Sequence, residues 1–317
     1  MIAAVARLGK TDLDVFPFCL GGNTFGWASD ETESFAVLDA YAAAGGNFID
    51  TADAYSAWVH GHEGGESETI IGRWMASRGN RDQTVVATKV GRLTDLADLR
   101  ADTIRTAVEG SLRRLQTDRI DLYYAHGDDD SSIPLAETLG AFDELVRAGK
   151  IRHAAASNYE VHRLGEALRT SKAAGLTPYV AFQPQYNLME REYEQELGPL
   201  CFAGGLACIP YFSLAMGFLT GKYRPGVAVT SVRAEGATGY LDERGIAVLA
   251  SLDAISAAHG STQAAVALAW LLAQPTVVAP VASARTAEQL AELLPFVDLE
   301  LTAEELAELS RVSRPSP

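Results

Sequence analysis

The chain has 317 residues, 48% of them apolar, and carries a formal charge of −15, from 26 Lys and Arg against 41 Asp and Glu. A surface of that sign repels nucleic-acid phosphates and anionic membranes, so neither is an expected partner, although a pocket can still have the opposite local sign. A chain this long can bury about three quarters of its unfolded surface, enough for one large core.

Residues 1–17 come first, and Lys10-Thr11-Asp12 between apolar pairs predicts a small β-hairpin. Short apolar runs then recur at 18–21, 47–50, 85–89, 120–125, 153–157, 179–184, 207–210 and 277–280. They are nearly continuous in apolar residues, which suits parallel strands covered on both faces. Helical patterns separate them. Ser29 is placed to cap a helix running towards Gly45-Gly46, and Pro134 to open one ending before Gly149. Asn158 is placed to cap a third helix ending at Gly175, and Ser261 or Thr262 a fourth that Pro275 terminates. Strand and helix alternating eight times predict an α/β fold, a (β/α)8 TIM barrel with an N-terminal β-hairpin, in a single domain over 1–317; an open doubly wound sheet is the runner-up, since periodicity alone does not show closure. The gap between Pro210 and Val277 is about twice the usual unit and predicts a long loop. Its Gly- and Thr-containing stretch at 227–239 is the expected lid.

The cysteines Cys19, Cys201 and Cys208 show no paired spacing and read as small buried hydrophobes in a reducing compartment. No signal-peptide pattern opens the chain and no run has the length of a membrane span, so the expected location is the cytoplasm. Nothing demands more than a monomer or a weak homo-oligomer.

Barrel active sites assemble at the C-terminal ends of strands. Those ends bring Asp50, Lys89 and His126 to one rim, with Tyr55 in the loop beyond Asp50. Hydride delivery to a carbonyl carbon leaves an alkoxide that needs a proton, and a tyrosine beside an ammonium can supply it. Lys89 is expected to lower the Tyr55 pKa, Asp50 to hold Lys89 charged, and His126 to position the substrate oxygen. No GxGxxG follows the first strand, so a dinucleotide would be held without a Rossmann turn. Trp27 and Trp58, in the loops after the first two strands, are the expected walls for an aldehyde or ketone of moderate size.

Gly46-Asn47-Phe48-Ile49-Asp50-Thr51-Ala52-Asp53-Ala54-Tyr55 resembles the signature of the aldo-keto reductase superfamily. Val86-Ala87-Thr88-Lys89 is similar to its lysine motif, and Asp121-Leu122-Tyr123-Tyr124-Ala125-His126 to its histidine motif. Around residues 218–223 the chain resembles the potassium-channel β-subunit-like branch. The resemblance implies an NADP(H)-dependent carbonyl reductase, with NAD(H) as the alternative, in which Tyr55 is the general acid of a tetrad with Asp50, Lys89 and His126. It implies that Ser157, Asn158 and Gln183 bond the carboxamide and that Tyr211 stacks on the nicotinamide. Backbone amides at Leu214, Ala215 and Gly217, with Lys222, would face the pyrophosphate. Ser283, Arg285, Gln289 and Glu292 would hold the adenosine end, Arg285 on a 2′-phosphate. Phe212-Ser213 and Leu293 depart from the usual pattern at the pyrophosphate and adenine positions.

Two rivals follow from the same residues. His60, His62, His126 and Asp128-Asp129-Asp130 are of metal-ligand type, but a Gly-rich loop carries the first two, so no metal is expected. A dinucleotide-binding regulatory or sensing subunit with little turnover is the second.

Overall fold

The computed structural model describes residues 5–315; residues 1–4 and 316–317 of the expected domain lie outside the described residues. Strands β1 (Ala6–Arg7) and β2 (Asp14–Val15) form the antiparallel hairpin. Eight parallel strands follow: β3 (Cys19–Gly21), β4 (Phe48–Asp50), β5 (Val85–Val90), β6 (Ile120–Ala125), β7 (Ile151–Ser157), β8 (Tyr179–Gln183), β9 (Ala207–Cys208) and β10 (Val281–Ala282). They pair in chain order, with β10 returning to β3. The other edge of the return segment closes onto β9, where Cys208 N donates to Thr276 O at 2.8 Å and Val278 N to Cys208 O at 2.9 Å. The protein is a (β/α)8 TIM barrel. All six residues of β5 and of β6 are buried, the both-faces burial that their continuous apolar runs predict.

The helices are α1 (Glu31–Ala43), α2 (Glu66–Arg78), α3 (Ala101–Leu115), α4 (Leu135–Arg147), α5 (Val161–Ala174), α6 (Leu197–Gly204), α7 (Ala234–Thr238), α8 (Glu243–His259), α9 (Gln263–Leu272), α10 (Ala287–Leu293) and α11 (Ala303–Val312). Among the described residues, no helix is long and apolar enough to cross a membrane. The cysteines are unpaired and buried.

Four expectations need correction. Asp30, not Ser29, caps α1: its carboxylate accepts from Glu33 N while Glu33 reaches back to Asp30 N, a reciprocal box that a serine one residue earlier cannot form. Ser29 instead donates to Arg285 O at 3.1 Å. Helix α5 begins after Glu160, because Asn158 sits at φ 55° and cannot be the extended residue that a cap requires. The last strand is 281–282 rather than 277–280, since Val277 makes only a single bridge to Cys208 of β9 while Val281 and Ala282 pair with Cys19 and Leu20 of β3. The doubled gap before it holds α7 and α8 as well as loop, in addition to the expected α9, which Thr262 caps.

The hairpin closes the barrel floor. Leu8, Leu13 and Val15 pack in one cluster with Phe48, Val85, Leu122, Ile209 and Val281 of the barrel interior. Asp12 accepts from Arg152 and bonds the ring of His153, both at 2.7 Å, which ties the hairpin to β7.

The strand carrying Asp50 is set by a tyrosine bracket. The Tyr41 hydroxyl donates to Phe18 O at 2.5 Å and accepts from Phe48 N at 3.2 Å, joining α1 to β3 and β4. Gly46 lets the ring pass, because a Cβ there would lie 2.3 Å from a Tyr41 ring carbon. Gly46→Ala is therefore expected to cost about 2 kcal/mol, a typical overpacking penalty, read as a lower urea midpoint with an unchanged slope.

Candidate active site

Parallel register places the site residues in one layer. Gly21 pairs with Asp50, Asp50 with Ala87, Lys89 with Tyr124, and Ser157 with Gln183, so each strand presents its last residues to the same rim. Lys89 is fully buried. Its Nζ donates to Asp50 Oδ2 at 2.6 Å, Thr51 O at 2.8 Å and Tyr55 Oη at 2.8 Å. Three acceptors match the three protons of an ammonium. Asp50 is equally occupied: Oδ2 also accepts from Tyr55 Oη at 3.1 Å, and Oδ1 from Gln183 Nε2 at 2.8 Å.

Burial and the negative charge of Asp50 push the Tyr55 hydroxyl well above its ordinary value. The net direction is opposite to the expected lowering by Lys89, because burial and Asp50 dominate and outweigh the opposing charge of Arg233. Tyr55 thus holds its proton across the neutral range, and Lys89 at 2.8 Å is placed to stabilise the phenolate once that proton leaves. Burial, with Lys89 and Arg92 nearby, holds His126 well below the ordinary histidine range, so its ring is neutral near pH 7. The Tyr55 and His126 rings lie 6.1 Å apart, edge to face. A protonated phenol, an ammonium behind it and a neutral imidazole can together protonate an oxygen presented at this rim.

These groups open into a cavity of about 570 Å³. Trp27 and Trp58 form one wall, their rings 5.4 Å apart and perpendicular. Ser157, Asn158, Gln183 and Tyr211 face the interior, and Leu214, Gly217, Lys222, Ser283, Arg285, Gln289 and Glu292 continue along it. All the expected cofactor-binding residues except Ala215 therefore line one cavity.

Their contacts refine the expectations. Asn158 is already a hub: Nδ2 donates to His126 O at 2.8 Å and Ser157 Oγ at 2.9 Å, and Oδ1 accepts from Tyr211 Oη at 2.8 Å. Ala215 N and Gly217 N donate to Phe212 O and Leu214 O within their own loop, so these two expected phosphate amides are spent locally. Ser283 Oγ donates to Asn23 Oδ1 at 2.7 Å, and Gln289 accepts from Arg285 N at 3.1 Å. Leu293 also lines the cavity, as an apolar contact.

A phosphorylated dinucleotide fits this donor set. Lys222, Arg233 and Arg285 line the cavity, and among the described residues none of the three takes part in an ion pair. Three unpaired cations in a chain of charge −15 make a local positive field suited to phosphates. The metal-type side chains do not converge. Among the described residues no group of three or more His, Cys, Asp and Glu comes together as a ligand set. Asp128 pairs with Arg163, Asp129 with Arg92.

Sequence reasoning missed Arg233, Arg92, Asn23 and Thr24, all of which line the cavity. Arg233 lies on the segment expected to be a lid, with its guanidinium 5.8 Å from the Trp27 ring centroid. A lone arginine in a Gly- and Thr-containing stretch has no periodicity to reveal it. Asn23 had a usable signal, since it lies two residues beyond the end of the first barrel strand.

Lys89→Met would leave Asp50 buried with its charge unmatched. Removing one partner of such a pair costs about 3 kcal/mol or more, and thermal unfolding of the variant is expected to reflect that loss.

The sequence model of the Aldo/keto reductase family matches residues 17–314. The chain is 35% identical to the oxidoreductase YrpG of Bacillus subtilis, over 96% of this chain and 94% of the relative. It is 34% identical to the norsolorinic acid reductase stcV of Emericella nidulans, over 93% and 77%. It is 30% identical to the aryl-alcohol dehydrogenase GME11368 of Pestalotiopsis microspora, over 94% and 78%. With the barrel, the rim residues and these matches in agreement, the chain belongs to the aldo/keto reductase family of oxidoreductases.

Proposed function

We propose that this protein, acting as one barrel domain, reduces aldehydes or ketones to alcohols with NADP(H), and that Tyr55 is the general acid. The observation that carries the reading is the closed set Asp50–Lys89–Tyr55 at the rim of a cavity that also holds three unpaired cations. The bound nicotinamide supplies the hydride. Tyr55 Oη gives its proton to the substrate oxygen, and Lys89 Nζ stabilises the phenolate that remains. Asp50 keeps Lys89 charged despite burial. The neutral His126 ring orients the substrate oxygen.

Ser157, Asn158 and Gln183 are the groups assigned to the carboxamide. Gln183 keeps Oε1 for this, since Nε2 is held by Asp50. Asn158 must exchange one of its present bonds. Tyr211 is the stacking ring, and Lys222 the pyrophosphate cation beside Leu214 and Gly217. Arg285 is assigned to the 2′-phosphate, with Ser283, Gln289 and Glu292 around the adenosine. The perpendicular pair of Trp27 and Trp58, together with the name of the aryl-alcohol dehydrogenase relative, makes aryl aldehydes the first substrates to try.

The test is a fluorescence titration of the protein with NADPH and with NADH, followed by addition of aldehydes and loss of nicotinamide absorbance. NADPH binding with aldehyde-dependent oxidation supports the reading. Binding without turnover favours a sensing subunit, and no binding overturns the proposal. Arg285→Ala is expected to weaken NADPH by about 10–100-fold, the worth of one charge-assisted bond, while leaving NADH nearly unchanged. Tyr55→Phe is expected to lower kcat by about 100-fold or more with the NADPH Kd close to wild type. Unaltered turnover would remove Tyr55 from the acid role.

A further inference from the structure

Between Asp50 and Tyr55 lies a third acidic or phenolic side chain that the proposed chemistry does not use. Asp53 is fully buried, and among the described residues neither of its carboxyl oxygens has a hydrogen-bond partner. The hydroxyl of buried Tyr123 on β6 is also without a partner among the described residues. Asp53 N donates to Lys89 O at 3.3 Å, so the residue is stitched to the strand that presents the ammonium.

The charged and titratable groups that bear on it come from four elements: Glu68 on α2, Arg114 on α3, Lys89 on β5 and Tyr123 on β6. None offers Asp53 a counter-ion of its own. Arg114 Nε donates to Glu68 Oε2 at 2.6 Å, and Thr88 Oγ1 donates to Glu68 Oε1 at 2.6 Å. Lys89 has spent its three protons on Asp50, Thr51 and Tyr55. A carboxylate in this position would be buried, unpaired and next to a second acid, a costly state that protonation removes. Burial first, and then Glu68, pushes its carboxyl up to about 8.

We propose that Asp53 is a positioning residue, which supports the Lys89–Tyr55 pair as a neutral carboxylic acid and withdraws that support when it ionises. This rests on the reading of Tyr55 as the proton donor. With Asp53 neutral, Asp50 is the one carboxylate bonded to Lys89, and the ammonium is available to the Tyr55 phenolate. Ionised Asp53 adds a second negative charge beside Lys89, which binds the ammonium's field and makes Tyr55 a poorer acid. It also leaves an unpaired charge beneath the loop that carries Tyr55.

The experiment compares wild type, Asp53→Asn and Glu68→Gln in two measurements. The first is denaturant unfolding from pH 5 to 9, which requires neither cofactor nor substrate. The folded protein keeps a proton on Asp53 that the unfolded chain releases above its ordinary value of 3.8. The unfolding constant of the wild type relative to Asp53→Asn therefore rises about tenfold per pH unit, until the folded group itself titrates near 8. Equal pH dependence in the two proteins would overturn the proposal, whatever the fate of the reductase reading.

The second is the pH profile of kcat. The wild type is expected to lose activity above about pH 8, Asp53→Asn to lack that limb, and Glu68→Gln to show it at lower pH because a neighbouring negative charge is gone. An alkaline limb that is the same in wild type and Asp53→Asn overturns the positioning role, even where the stability measurement finds a buried neutral acid.

Discussion

The site depends on one constraint, that a lysine at the end of a fully buried strand must find three acceptors inside the protein. Lys89 meets it with Asp50, Thr51 and Tyr55, and each partner is thereby located to within a hydrogen-bond length. A buried ammonium without them would face a desolvation cost of several kcal/mol. The same bonds that make burial tolerable also aim the phenol at the cavity. Stability and preorganisation are therefore not separable at this position, and neighbouring packing such as the Tyr41 bracket serves both.

Charge is distributed in the opposite sense to the whole. The surface is acidic, while the cavity collects Lys222, Arg233 and Arg285 outside any ion pair among the described residues. Leaving cations unpaired inside a pocket is unfavourable unless a ligand arrives to match them, and phosphates are the natural match. The loop beneath them is also strained. Ala215 and Met216 hold φ of 48° and 58°, a left-handed conformation that non-glycine residues seldom adopt. Such strain clusters where backbone must approach a ligand.

Acidic groups around the tetrad divide by environment. Asp50 is matched by an ammonium and an amide. Glu68 is matched by Arg114 and Thr88. Asp53, only three residues from Asp50, has neither. Three carboxyls in one region thus differ in the hydrogen-bond partners they meet among the described residues, and that difference is invisible in the sequence motif that contains two of them.

Much of the fold was legible because its determinants are local. Continuous apolar runs bounded by Gly, Pro and polar residues located seven barrel strands closely, since a parallel strand buried on both faces has few other compositions available. The eighth slipped by four residues because apolar content does not show which neighbour a residue pairs with: Val277 bridges Cys208 of β9, and only Val281 and Ala282 pair with β3. Asp50, Lys89 and His126 were readable together because each lies within one residue of a strand end, and strand ends in a barrel share one rim. What the sequence could not determine was anything set by contacts across the chain. Ser29 bonds Arg285, 256 residues away, and so leaves the α1 cap to Asp30. Arg233 reaches Trp27 from a segment with no periodic pattern. The charge states of Tyr55 and Asp53 follow from burial and from partners on other strands and helices. Local pattern decides which element a residue joins; only tertiary packing decides what its polar atoms meet, and therefore which of them carry a proton.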